Sequence, residues 1–227
     1  MPNVLDAVAF DIDGTLYPNY RFYLRLCPFV LRHGRLLAAF GQARKLIRKQ
    51  NGSSPDTGAV DFYALQSSVM ARILGKKPEE TRLMTQKLIY EYWEGLFKKV
   101  KLFPGVLETV RALRAAGIKT AVLSDFPLGR KLENLTINGL WDVELCSEEL
   151  GMLKPGSVSF LELQRRLDVP AERILFVGNS LVCDIAGAKR CGMKTALISA
   201  RPRRFPPAAA PDFVFKAYRQ LREYVLG

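Results

Sequence analysis

The sequence predicts an α/β protein: a parallel sheet with helices on both faces, interrupted once by an all-helical insertion. Three observations predict it. From about residue 102 onward, short apolar runs alternate with amphipathic stretches, the rhythm of strand–helix–strand units. The first apolar run, Val4 to Phe10, stops abruptly at Asp11 and Asp13 and turns at Gly14-Thr15. A buried parallel strand delivers side chains to the carboxyl edge of its sheet in this way, and ligands bind at that edge in open α/β sheets. Third, residues 18–101 lose the alternation altogether and read as helices.

The elements follow in order. Residues 20–50 form a helical pattern broken near Pro28 and Gly34, with eight Lys or Arg among apolar residues and no acid. Residues 51–58, NGSSPDTG, have the composition of a loop. Helical patterns resume over 59–74 and 78–98, the latter opening with Pro78-Glu79-Glu80, a favourable helix start. Val106–Ala116 is an amphipathic helix ended by Gly117. Lys119–Leu123 is a buried strand ending at Ser124, and Leu128–Asn138 is helical. Val143–Cys146 is a short strand, and Lys154 lies on the loop before a helix at 156–167. Ile174–Val177 is a strand running into Gly178-Asn179-Ser180, and Leu181–Cys191 is a helix closed by Gly192. Strands at Thr195–Ile198 and Asp212–Phe215 flank a Pro-rich loop at 201–211, and Ala217–Val225 is the last helix.

Four short motifs stand at the ends of these elements: DIDGTL at 11–16, Ser124 in TAVLSDFP, Lys154 in GMLKPG, and Asn179 with Asp184 in VGNSLVCDIAGAKRCGM. Two carboxylates as close as Asp11 and Asp13 repel unless a cation or a shared proton relieves them. In this order and on these elements, the motifs resemble those of the haloacid dehalogenase superfamily of aspartyl-phosphate enzymes, from Val4 to about Ile198. The resemblance implies a Rossmann-like three-layer core formed by residues 1–17 and 102–227, with a helical cap domain at 18–101. It implies Asp11 as nucleophile and Asp13 as general acid/base, the second Asp favouring phosphate over halide chemistry. Ser124 would hold a phosphoryl oxygen, Lys154 would neutralise charge, and backbone N–H groups at Ile12 and Asp125 would complete the cradle. Mg²⁺ would be held by Asp11, the Asp13 carbonyl, Asn179 and Asp184. One position departs from the family pattern: Asn179 stands where Asp is usual, so the site has one charge fewer and a weaker hold on the metal is expected.

The implied activity is hydrolysis of a small phosphomonoester metabolite through an aspartyl-phosphate. The alternatives are a phosphoryl-transfer mutase of the β-phosphoglucomutase type and a binding or scaffold protein with a weakened metal site. The composition is that of a globular protein, with no stretch of about 18 apolar residues and no basic leader before the first strand. A cytoplasmic location is expected, with Cys27, Cys146, Cys183 and Cys191 as free thiols. The single histidine, His33, lies outside the motifs, which argues against a histidine mechanism. The net charge of +12 is concentrated between Tyr17 and Lys101, where 16 Lys/Arg face 6 Asp/Glu. Three readings of that charge remain open: a solvated helical face, an electrostatic funnel for an anionic substrate, or a membrane-surface or nucleic-acid patch. No specific nucleic-acid partner is expected.

Overall fold

The structure is a computed structural model, and it describes residues 5–51, 61–200, 204–206 and 209–227. Six parallel strands make one sheet: β1 (Ala7–Phe10), β2 (Lys119–Ser124), β3 (Val143–Cys146), β4 (Ile174–Gly178), β5 (Lys194–Ile198) and β6 (Phe213–Phe215). Their spatial order is β3-β2-β1-β4-β5-β6. The chain fills one side of β1 first and then returns to the other, so a crevice opens at the carboxyl ends of β1 and β4.

The sheet is buried on both faces, which is why its strands read as unbroken apolar runs. Val8 and Phe10 of β1 point into a cluster with α5 (Val106–Ala115) and the terminal helix α9 (Tyr218–Leu226). Ala7 and Ala9 face the opposite cluster, with α7 (Ser157–Leu167) and α8 (Ala186–Arg190). Two of the expected helices are shorter than the pattern suggests. The expected helix at 128–138 contracts to α6 (Lys131–Asn134), because Gly129 at φ 39° and Thr136 at φ 58° leave the helical region on either side. The helix at 181–191 begins as a wide π-helical turn over Leu181–Ile185 before α8.

The insertion carries α1 (Asn19–Asn51), α2 (Phe62–Leu74), α3 (Pro78–Thr85) and α4 (Tyr92–Leu96), with a π-helical turn at Gln86–Glu91 joining α3 to α4. The expected break in α1 is a kink at His33 (φ −128°, ψ 23°), next to Gly34, while Pro28 stays within the helix. Phe22, Leu26 and Phe29 before the kink and Leu36, Phe40, Ala43 and Ile47 after it form its buried face, recurring at three- and four-residue steps within each part. Asp61 caps α2, its side chain accepting from the Ala64 N–H at 3.0 Å. The predicted 51–58 loop beyond Asn51, which ends α1, and residues 201–203 and 207–208 of the 201–211 loop fall outside the described residues. Among the described residues, no helix is long and apolar enough to cross a membrane.

Candidate active site

β1 ends one residue before Asp11, whose N–H donates to Val177 O on β4 (2.9 Å). The chain then turns sharply, with Thr15 and Leu16 N–H donating back to Ile12 O (3.2 and 3.0 Å) and Gly14 at φ +90°. That φ favours glycine, and a Cβ there would also stand 1.9 Å from Asn179 Nδ2. The turn brings Thr15 Oγ1 to donate to Asp11 Oδ2 at 2.8 Å. Tyr218 of α9 donates to Thr15 O at 2.7 Å, so the last helix props the first motif.

Lys154 reaches the same carboxylate from the loop before α7. Its Nζ donates to Asp11 Oδ1 at 2.7 Å, Asp184 Oδ1 at 2.8 Å and Leu123 O at 3.3 Å. Asp184 Oδ2 accepts from the N–H groups of Asn179 (3.1 Å) and Ser180 (2.9 Å). Gly178 permits this approach, since a Cβ on it would lie 2.3 Å from Asp184 Cβ. All three charged groups are buried. Burial pushes the Asp11 carboxyl up to about 7; the Lys154 charge pulls against that, and Asp184 and Asp13 reinforce it. Burial alone would lower the Lys154 ammonium, yet Asp11, Asp184 and Asp125 outweigh it and hold it well above its ordinary value.

Asp13 faces the other way, toward the insertion, with 25 % of its side chain exposed. Tyr17 Oη donates to its Oδ1, Lys131 Nζ to its Oδ2 at 2.5 Å, and Ser124 Oγ lies 3.4 Å from Oδ2. Ser124 Oγ also accepts from Phe126 N–H at 3.0 Å. Lys131 is buried between the rings of Phe97 and Phe126, 4.9 and 5.9 Å from their centroids. From Asp13 and Lys131 a cavity of about 430 Å³ opens between the insertion and the sheet edge.

The Asp125 side chain is held by two partners. Oδ1 accepts from the Lys154 N–H at 2.9 Å and Oδ2 pairs with Arg48 at 2.7 Å. Burial would raise its pKa, but Lys154, Arg48 and Arg44 together hold it below the usual carboxylate range. Arg44 is buried against Glu148, donates to Asp125 O at 3.3 Å, and stacks 4.2 Å from the Phe126 ring centroid. Burial alone would lower its guanidinium, but Glu148 and Asp125 raise it. Arg21 and Arg25 donate to the carbonyls of Lys101 (2.9 Å) and Lys99 (2.6 Å). The partners of these four arginines are protein oxygens, and Glu148 and Asp125 are the acids among them.

A model of the haloacid dehalogenase-like hydrolases matches residues 5–192 of this chain. The chain belongs to that family. It is 33% identical to a ribulose-1,5-bisphosphate 5-phosphatase of Halopiger xanaduensis, over 96% of this chain and 91% of the relative. It is 28% identical to a glyceraldehyde 3-phosphate phosphatase of Methanopyrus kandleri, over 98% and 97% of the two chains. Among solved structures, a dehalogenase in an intermediate complex superposes with a TM-score of 0.72 at 19% identity, covering 100% of both chains; that likeness shows the fold.

Within this dehalogenase-like core, every motif residue comes to one sheet edge. Asp11 and Asp13 follow β1, Ser124 ends β2, and Asn179 follows β4. Asn179 Nδ2 donates to Asp13 O at 3.2 Å. The amide end can turn over, which places Oδ1 there instead. Asp11, the Asp13 carbonyl and Asn179 then make an all-oxygen set suited to a hard cation, with Asp184 beside it; Asp11 and Asp184 alike have both oxygens hydrogen-bonded, and Lys154 reaches each. Among the described residues, no group of three or more His, Cys, Asp or Glu side chains gathers as a metal cluster. The residues therefore fit one hard cation with little anionic charge. Lys131 is the buried cation beside Asp13 that the motifs do not mark. No local pattern singles it out among the 34 basic residues of the chain.

Proposed function

We propose that this protein hydrolyses a phosphomonoester through an aspartyl-phosphate on Asp11. The observation that supports it is the Asp11–Lys154–Asp184 chain of contacts at the sheet edge, with Asp13 two residues on and turned to a cavity. The phosphatase relatives point to the same chemistry. An Asp11 oxygen attacks phosphorus as the ester P–O bond breaks, and the leaving oxygen takes a proton from Asp13. Asp13 then removes a proton from water. That oxygen attacks phosphorus, the P–O bond to Asp11 breaks, and phosphate is released. Lys154 balances the charge of Asp11, and Ser124 Oγ lies near enough to Asp13 to hold a phosphoryl oxygen beside it. Lys131 and Tyr17 hold the Asp13 carboxylate in place. Asp11, the Asp13 carbonyl and Asn179 would hold Mg²⁺, with Asp184 ordering the loop behind them. The ion would neutralise phosphoryl charge there.

In this reading residues 18–101 are the cap and residues 1–17 with 102–227 the core, the cap closing the cavity over Asp13. Release of phosphate from p-nitrophenyl phosphate with Mg²⁺ is the test, run on the wild type and on Asp11→Asn. The variant is expected to fold and to lose turnover. Activity above a few per cent of wild type in purified Asp11→Asn would remove Asp11 from the nucleophile's role.

A further inference from the structure

We infer that the cavity takes the alcohol part of a phosphomonoester that carries a flat ring, aromatic or heterocyclic, rather than a short sugar or hydroxy-acid phosphate. The inference rests on the phosphatase reading above and adds the substrate class. Three observations carry it: the size of the cavity, its rings and its charges. At about 430 Å³ it falls within the range of small-molecule sites and exceeds what a three-carbon phosphate fills. Its walls are rings: Tyr17, Phe22, Tyr23, Trp93, Phe97 and Phe126 all line it. These rings are already locked against each other, Phe22 stacked on Phe97 (5.0 Å between centroids) and Trp93 tilted on Phe126 (5.6 Å). A rigid ring wall binds another ring by stacking or edge contact without first being ordered.

The charges exclude the short anionic esters. Lys131 is the one Lys or Arg among the described lining residues, and Asp13 already pairs with it. Glu91 and Glu94 line the same space. A second phosphate or a carboxylate on the alcohol part would meet two acids and no unpaired cation. The insertion's arginines do not supply one. Arg44 is committed to Glu148, and Arg48 to Asp125.

The test compares primary alkyl phosphates, so that leaving groups are matched. Phosphate release is measured with Mg²⁺ for pyridoxine 5′-phosphate and thymidine 5′-monophosphate, against glyceraldehyde 3-phosphate and ribulose 1,5-bisphosphate. Binding of the free alcohols pyridoxine and thymidine is measured separately by calorimetry on the wild type, on Asp11→Asn and on Trp93→Leu. The expected result is a kcat/KM at least about ten-fold higher for the ring esters. Saturable binding of a ring alcohol should persist in Asp11→Asn and weaken about five- to ten-fold in Trp93→Leu. Equal or better turnover of the two sugar phosphates overturns the substrate class and leaves the phosphatase reading standing. Ring-alcohol binding without release of phosphate from any of the four esters supports the ring site and sinks the phosphatase reading instead. Absence of ring-alcohol binding to the wild type overturns the inference whatever the turnover.

Discussion

Each of the two lysines at the sheet edge is buried against a carboxylate, and the halves of the site around them are built on opposite terms. On the sheet side, Lys154 lies between Asp11 and Asp184, and the remaining oxygens of those acids are met by Thr15 and two backbone N–H groups. This half is buried, and its hydrogen bonds run to core strands and their loops. On the insertion side, Lys131 meets one carboxylate, Asp13, and the Ser124 hydroxyl, between two aromatic rings, and that carboxylate is a quarter exposed to the cavity. The difference separates two tasks. A nucleophile needs a fixed position and balanced charge, which a closed network supplies. A proton carrier needs access to the leaving group and to water, which a closed network would deny.

The largest expected effect breaks the sheet-side half. Lys154→Met leaves two buried acids facing each other, and removing one partner of a buried ion network costs roughly 3–5 kcal/mol. Urea unfolding should show that loss, and phosphate release should disappear with it. A variant with wild-type stability would mean that the network does not carry the charge balance described.

Lys131→Met tests the other half and should separate turnover from stability. Its carboxylate partner can take water, so the stability loss should be smaller, about 1–2 kcal/mol. The kcat should fall about 10²-fold while KM changes little, because the ammonium holds the proton carrier rather than the substrate. Comparable stability losses in Lys131→Met and Lys154→Met would erase the distinction between the halves.

The seam between insertion and core makes a pH-dependent comparison. Asp125 is held below the usual carboxylate range by Lys154, Arg48 and Arg44 against the cost of burial. A carboxylate with a depressed folded-state pKa stabilises fully above its unfolded value, near 3.9, and loses that stabilisation as pH falls through the folded value. Arg48→Met should therefore cost about 1–2 kcal/mol at pH 7, with the difference from wild type shrinking below about pH 4. Guanidinium unfolding at pH 7 and pH 3 measures both. A difference that grows on acidification would rule out Asp125 as the group responsible.

The smallest effect concerns the metal. Asn179→Asp restores a charge beside the Asp13 carbonyl and should lower the Mg²⁺ concentration for half-maximal activity about ten-fold, with little gain at saturation. An unchanged half-saturation point would place Asn179 outside the coordination sphere.

Much of this architecture was legible in the chain. Sheets buried on both faces require apolar runs, and a chemistry-bearing residue at a strand's carboxyl end must interrupt such a run. Asp11, Ser124 and Asn179 therefore announce themselves, and the order of the motifs names the family. The kink beside Gly34 and the helix start at Pro78 were readable for the same local reason. Helix lengths were less so: α6 is one turn because Gly129 and Thr136 take left-handed backbone, and nothing in the periodicity marks Thr136. What only the tertiary structure decided is which charges meet. Arg44 and Glu148 are 104 residues apart, and Lys131 and Asp13 118. A chain with 34 basic residues offers no local signal for which of them will be buried. Strand ends are set by local pattern, whereas a charge pair forms only where separate elements converge and exclude water together. The basic insertion therefore reads as surface in sequence, although Arg44 and Arg48 help to bind it to the core.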